Sequence, residues 1–257
     1  MILEVDKLCF RYPNTKRTIL KDVSFSLDHG EVLSILGANG AGKSTMLNCI
    51  ANLYSPVSGE IRLHGKPMKD LSMTEVARLI GYVPQIHTPT YAYSVREFVV
   101  MGRTPYIGTF SKPSAEDYDI AENAIESLGI SHLIDKDYSR ISGGERQMVT
   151  IARAIAQQPE IILMDEPTAH LDYGNQYRTV EMIARLAEDG FALLMTTHNP
   201  DHAIILNGKV AVLNQKGVLG VGMASETLTD ELLSNLYGLR IKTVYDDDAQ
   251  RKICIVY

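Results

Sequence analysis

The chain has 257 residues, 45% of them hydrophobic, enough to bury one large α/β core or two small ones. Its net charge of -6 and isoelectric point near 5.7 exclude a protein that coats nucleic acid, because phosphate-backbone binding needs clustered lysine and arginine. No apolar run approaches the ~20 residues that cross a bilayer, and the N-terminus lacks a signal-peptide layout, so a cytosolic chain is expected.

Taken in order, residues 2–5 and 23–27 alternate apolar and polar side chains, as expected of a half-exposed antiparallel sheet. Between them Tyr12 precedes Pro13 and a polar turn, so its ring is presented at a loop where a flat base could stack; an ordinary strand-end tyrosine is the alternative. Residues 31–36 form a short apolar run of buried-strand length, and residues 44–53 place Met46, Leu47, Ile50 and Leu53 on one helical face. Between that strand and that helix stands Gly-Ala-Asn-Gly-Ala-Gly-Lys-Ser, residues 37–44, which fits the phosphate-loop spacing G-x-x-x-x-G-K-[ST] at every required position. Gly37, Gly40 and Gly42 let backbone N–H groups curl around a phosphate, and the helix N-terminus adds partial positive charge. Lys43 then reaches the β- and γ-phosphates, and the Ser44 hydroxyl sits on Mg²⁺.

Residues 60–64 read as another strand completing the antiparallel sheet, and residues 72–79 as a short helix with a capping box between Ser72 and Glu75. Residues 80–83 are a strand interrupted by Pro84 and Gln85, whose amide oxygen could serve Mg²⁺ or an attacking water. Residues 94–102 and 114–128 read as helices of an inserted subdomain. Residues 102–106 between them read as a loop in which an arginine and an aromatic either dock a partner or cap the helix.

Residues 141–147, Ile-Ser-Gly-Gly-Glu-Arg-Gln, open an amphipathic helix carrying Met148, Ile151, Ala152, Ile155 and Ala156 on its apolar side, so a second helix start is suited to an anion. Residues 160–164 are a buried strand delivering two carboxylates: Asp165, placed to hold Mg²⁺, and Glu166, placed to orient and deprotonate water. A tight loop over residues 168–172 leads into a helix over 175–187. A further buried strand then ends at Thr196, Thr197 and His198, with His198 within reach of the γ-phosphate. His202 follows four residues on, but Pro200 and the lack of an H-E-x-x-H pattern argue against a zinc pair. The remainder reads as a hairpin over 209–220, one short helix over 227–237 and a terminal hairpin turning at residues 246–248. Cys9, Cys49 and Cys254 are odd in number, widely spaced and without a C-x-x-C pair, and are read as buried thiols.

With both glycine motifs in place, the chain resembles the nucleotide-binding subunit of an ATP-binding cassette (ABC) transporter from about residue 3 to residue 222. The family's motifs stand in their usual order: the aromatic A-loop at Tyr12, Walker A over 37–44, the Q-loop at Gln85, the signature over 141–145, Walker B over 161–165 with the catalytic Glu166, the D-loop ending at Asp172 and the H-loop at His198. The resemblance implies an α/β fold: a P-loop NTPase core with a parallel sheet, an N-terminal antiparallel β subdomain and a helical signature subdomain inserted over residues 86–154. The whole ATPase domain spans 1–225, and a short C-terminal helix and hairpin occupy 226–257.

The same resemblance implies that Glu166, His198 and Gln85 act in hydrolysis. ATP is held by Tyr12, Gly37, Asn39, Gly40, Gly42, Lys43, Ser44 and Thr45, with Ser142, Gly143, Gly144 and Asp172, and Mg²⁺ by Ser44, Gln85 and Asp165. Two cassettes pack head to tail, so a homodimer, or a pairing with a second cassette chain, is expected. It would sit on polytopic membrane permease subunits at the cytoplasmic face of the membrane and serve a substrate-binding protein indirectly. Two departures stand out: Ala169 and His170 in the D-loop where Ser-Ala is usual, and Asn199 after His198 where aspartate is common. Residues 99–106 and 171–176 look like those of importers for iron siderophores, haem and cobalamin, a group that also includes molybdate and tungstate importers. The exporter cassette, the soluble cassette acting on DNA or ribosomes, and the non-hydrolysing switch are the other readings.

Overall fold

The computed structural model describes residues 1–85, 92–108, 110–214 and 217–257, with the backbone alone at Val218 and Leu219; residues 86–91, which open the expected insertion, lie outside the described residues. Strands β1 (Leu3–Arg11), β2 (Thr18–Leu27), β3 (Val32–Gly37), β4 (Ser58–Leu63), β5 (Lys66–Pro67), β6 (Ile80–Val83), β7 (Ile161–Met164), β8 (Ala192–Thr197), β9 (Lys209–Asn214) and β10 (Gly217–Met223) make two sheets. The larger has the order β10-β9-β3-β8-β7-β6, parallel throughout except for β10, which returns antiparallel to β9. The smaller is antiparallel, in the order β2-β1-β4-β5.

The sequence of the central strands explains why their sheet is covered on both faces. Every residue of β3, β7 and β8 is buried, as a parallel sheet sandwiched between layers requires. Alternate side chains divide the two faces. Leu33, Ile35, Ile161, Leu163 and Leu194 meet α1 (Lys43–Ile50) and the inner side of the antiparallel sheet. Val32, Ile162, Met164, Leu193 and Met195 instead meet two later helices, α5 (Gly143–Ala156) and α6 (Tyr173–Glu188).

Helix α2 (Met73–Leu79) starts with the expected Ser72–Glu75 capping box. A separate helical layer is built by α3 (Val95–Val100), α4 (Ala115–Ser127) and α5 around Phe98, Ile125, Tyr138 and Val149. Here the structure departs from the sequence reading. Helix α3 stops at Val100, and residues 102–106 belong to a 3-10 helix, Met101–Tyr106, instead of a loop. Gly102 lies so close to the Arg153 carbonyl of α5 that no Cβ would fit, and Pro105 has no N–H with which to continue an α-helix. Arg103 is 6% exposed, so it neither caps α3 nor meets an outside partner. Its guanidinium pairs with Asp117 at 3.1 Å and donates to the Ala156 carbonyl at 3.0 Å and to Gln158 at 2.8 Å, tying α4 to the end of α5.

The C-terminal part differs too. Where the sequence suggests one helix over 227–237 there are two, separated at Leu228 and Thr229: after α7 (Pro200–Leu206) come α8 (Ala224–Thr227) and α9 (Asp230–Tyr237). Thr229 starts α9 afresh, its hydroxyl accepting from the Leu232 N–H. The terminal hairpin is present as β11 (Ile241–Asp246) and β12 (Arg251–Val256). Leu233, Leu236 and Ile241 share one apolar cluster with Leu36, Val210 and Val212 of the main sheet, so residues 226–257 pack on the core. All three cysteines are free; Cys49 is buried, and Cys9 and Cys254 are half-buried.

Candidate active site

The carboxyl ends of the parallel strands β3, β7 and β8 open on one cavity of about 660 Å³, within the range of small-molecule sites. The strand order places four loops at its rim. After β3 the chain turns through residues 37–42 and enters α1 at Lys43. Two glycines here are required by geometry. A Cβ on Gly37 would lie 2.6 Å from the Leu213 carbonyl oxygen of β9, and Gly42 has φ +102° with Ile19 packed against it. Asn39, Gly40, Gly42, Ser44 and Thr45 line the cavity, and Lys43 enters it with a side chain only 5% exposed. The Lys43 ammonium donates to the Gly37 carbonyl at 2.9 Å and pairs with Glu166 at 3.0 Å.

Opposite the loop, the parallel register of β7 and β8, with Met164 beside Met195, brings Asp165 next to Thr196. The buried Asp165 Oδ1 accepts from Thr196 Oγ1 at 2.7 Å and from Ser44 Oγ at 3.0 Å. The Thr196 oxygen in turn accepts from the Glu166 N–H at 2.8 Å. Glu166 sits at φ +46°, a left-handed backbone that costs a non-glycine residue about 1–3 kcal/mol and turns its carboxylate into the cavity. There Oε2 meets His198 Nδ1 at 3.2 Å and Gln85 Nε2 at 3.3 Å. Burial pushes the Glu166 carboxyl up, but the Lys43 hydrogen bond and charge, aided by His198, outweigh it and hold the group below its ordinary value. The acid is therefore ionised at neutral pH.

The structure thus gathers Lys43, Ser44, Gln85, Glu166 and His198 at one cavity, with Asp165 directly behind Ser44. Tyr12 lies at its margin. Its hydroxyl is 2.9 Å from Thr45 Oγ1, and its ring stands edge-on to Phe10 and Tyr54. Ser142, Gly143, Gly144 and Asp172 are not brought to the Lys43 cavity within this chain. Ser142 and Glu145 form a capping box at the start of α5, and Asp172 caps α6 through the Asn175 N–H at 2.9 Å.

The sequence reading gave no role to three residues found here: Thr196, named only as a strand end, Tyr54, and the buried His202, weighed only as a zinc ligand, whose Nε2 faces the Asn199 amide at 3.2 Å. None belongs to a local pattern, so no spacing signal marks them. Asn199, expected only as a departure, is the N-cap of α7 as well as the partner of His202.

Ser44 Oγ, the Asp165 carboxylate and the Gln85 side-chain oxygen are hard oxygen donors of the kind Mg²⁺ takes, and Ser44 and Asp165 already converge to 3.0 Å, so the donor set fits that ion. A glycine loop with a buried lysine, facing two carboxylates at the end of a neighbouring parallel strand, defines a P-loop nucleoside-triphosphatase domain. Residues 20–169 match the ABC transporter family, and the chain belongs to that family as one of its ATP-binding, ATP-hydrolysing subunits. It is 40% identical over 237 residues to an uncharacterized ABC transporter ATP-binding protein of Haemophilus influenzae, covering 92% of this chain and 89% of the relative. It is 35% identical over 251 residues to the molybdate import ATP-binding protein MolC of the same organism, covering 97% and 92%. Among solved structures, a metal-chelate type ABC transporter in an inward-facing conformation superposes with a TM-score of 0.87 at 32% identity, over 100% of this chain and 97% of that one.

Proposed function

We propose that this chain is the ATPase of an importer for a metal chelate (iron siderophore, haem or cobalamin) or for molybdate or tungstate. In this reading two cassettes work as a dimer on polytopic permease subunits at the cytoplasmic face of the membrane, with a substrate-binding protein delivering cargo to the permease. The observation that carries its ATPase chemistry is the placement of Glu166 between Lys43, His198 and Gln85 at the rim of the phosphate loop. Relatives named for molybdate import and for a metal-chelate transporter support the cargo class.

The residues divide the chemistry as follows. ATP phosphates take the Lys43 ammonium away from Glu166 and settle against the N–H groups of residues 39–45, while Tyr12 stacks on the base. Ser44, Gln85 and Asp165 would hold Mg²⁺, which neutralises charge on the β- and γ-phosphates. Freed from Lys43, the Glu166 carboxylate accepts a proton from water as the water oxygen bonds to the γ-phosphorus. The bond to the β–γ bridging oxygen breaks, and ADP leaves with the electron pair. His198 donates to a γ-phosphate oxygen, and Gln85 orients the water. Because Ser142, Gly143 and Gly144 lie away from this chain's own cavity, a second cassette supplies them, with Asp172 at the junction.

The permease contact is a groove of about 560 Å³ beside α2 and the 3-10 helix, where Leu53, Met73 and Met101 are exposed apolar side chains. Among the described residues no helix is long and apolar enough to cross a membrane, which fits a peripheral subunit. The test is affinity purification of the tagged chain from detergent-solubilised membranes. Recovery of a many-helix membrane subunit together with ATPase activity is expected; recovery only with ribosomes or DNA would overturn the transport reading.

A further inference from the structure

We propose that Tyr237, in the C-terminal extension, is a positioning residue for His198, so that residues 226–257 tune the rate of ATP hydrolysis. The proposal rests on the reading that His198 acts on the γ-phosphate. The Tyr237 hydroxyl donates to the backbone carbonyl of His198 at 2.7 Å, across 39 residues of sequence. His198 needs such support. It lies on the short link between β8 and α7, its side chain is 57% exposed, and its ring reaches Glu166 from the open side of the cavity. Holding the 198 carbonyl fixes the peptide plane after His198 and so restrains the Cα from which its ring is carried.

The anchor is itself braced. Tyr237 is the last residue of α9, which closes on Gly238 at φ +68°, and α9 is locked to β11 by the Ser234 hydroxyl, which donates to the Ile241 carbonyl at 3.2 Å and accepts from its N–H at 3.0 Å. Asp230 accepts from the Thr243 N–H at 2.7 Å. The hairpin also grips the helix that follows His198, because the Cys254 N–H donates to Asp201 Oδ1 at 3.0 Å. The extension therefore holds the histidine link at its start and just past its end. Burial pushes the Tyr237 phenol above its ordinary value, so it stays a proton donor throughout the physiological range.

The experiment uses the full-length chain with Tyr237→Phe, which removes only the hydroxyl, alongside His198→Ala and the double variant. Steady-state and single-turnover hydrolysis, equilibrium binding of a fluorescent ATP analogue and thermal melting are measured on all four proteins. The expected result for Tyr237→Phe is a fall in kcat of about three- to tenfold, the size of one hydrogen bond spent on geometry. ATP affinity should stay within about twofold, and the melting temperature should shift by less than about 4 °C. In the His198→Ala background the second substitution should change nothing. Wild-type kcat in Tyr237→Phe, an equal fall in the His198→Ala background, or a parallel loss of ATP affinity would each overturn the positioning role while leaving His198 in place. Wild-type kcat in His198→Ala would remove the site reading and this proposal together.

Discussion

The Lys43 ammonium and the Glu166 carboxylate are 3.0 Å apart, so in the function proposed above the cation assigned to the phosphates and the base assigned to the water neutralise each other until ATP binds. Both are largely withdrawn from solvent, at 5% and 12% side-chain exposure, so neither has bulk water as a substitute partner. Glu166→Gln removes the base and releases Lys43. Turnover should fall by about 10²-fold or more while ATP binds as tightly or more tightly, and the ATP-bound chain should persist as a dimer. Phosphate release and size-exclusion chromatography with ATP read both effects. Hydrolysis at the wild-type rate would refute the assignment of Glu166.

Thr196 ties the two carboxylates of the site together, accepting from the Glu166 N–H while donating to Asp165. Thr196→Val keeps the shape and deletes both bonds, leaving an N–H without its acceptor beside a buried carboxylate. We expect a loss of about 1–3 kcal/mol in denaturant unfolding, with a lowered kcat. Thr196→Ser should recover most of both; if serine does no better than valine, the hydroxyl bridge is not the cause.

Tyr12 presents its ring at the cavity margin, backed edge-on by Phe10 at 5.0 Å and by Tyr54 at 5.8 Å. Stacking on a base contributes about 1–3 kcal/mol and holds ground and transition states alike, so Tyr12→Ala should raise the Kd for ATP roughly 5- to 150-fold with kcat little changed. Tyr12→Phe should stay near wild type. A drop in kcat at unchanged affinity would contradict a stacking role.

His202 is buried at 2% exposure, between Thr168 Oγ1 at 3.3 Å and the Asn199 amide nitrogen at 3.2 Å. An amide N–H facing Nε2 requires a lone pair there, so the neutral ring carries its proton on Nδ1. Burial pushes the group down to about 4; the Asp201 charge raises it, and His198 lowers it slightly. The unfolded chain therefore takes up a proton below pH 6.5 that the folded chain refuses until about 4, so the full stability is present above 6.5 and is lost as pH falls through this window. The loss is on the order of 3 kcal/mol. Urea titrations of wild type and His202→Gln between pH 7 and pH 4 should show a shallower fall in the variant; parallel curves would mean that His202 does not carry the dependence.

What could be read from the chain was what the backbone encodes locally. The phosphate loop, the capping box at Ser72, the helix start at Ser142 and the strand ending in Asp165 and Glu166 each depend on residues within a few positions of one another, where chain connectivity already fixes the geometry. The alternate burial of β1 and the unbroken burial of β3, β7 and β8 likewise follow from side-chain pattern. Even so, the reading of residues 102–106 as a loop missed a buried arginine, because only the meeting of α4 and α5 makes a pocket for its guanidinium.

The contacts that turn motifs into a site were decided by the tertiary structure. Thr196 meets Asp165 because two parallel strands align Met164 with Met195 across 31 residues, and no propensity along the chain specifies that register. The Lys43–Glu166 pair, the Asn199–His202 contact and the Tyr237 bond to His198 depend on how layers pack and on which buried polar group needs a partner. Sequence by itself determined which chemical groups this protein carries and the local turns that present them. Folding decided which groups share a proton, a charge or a hydrogen bond, because those energies depend on distances of about 3 Å that only the packed sheet and its helices set.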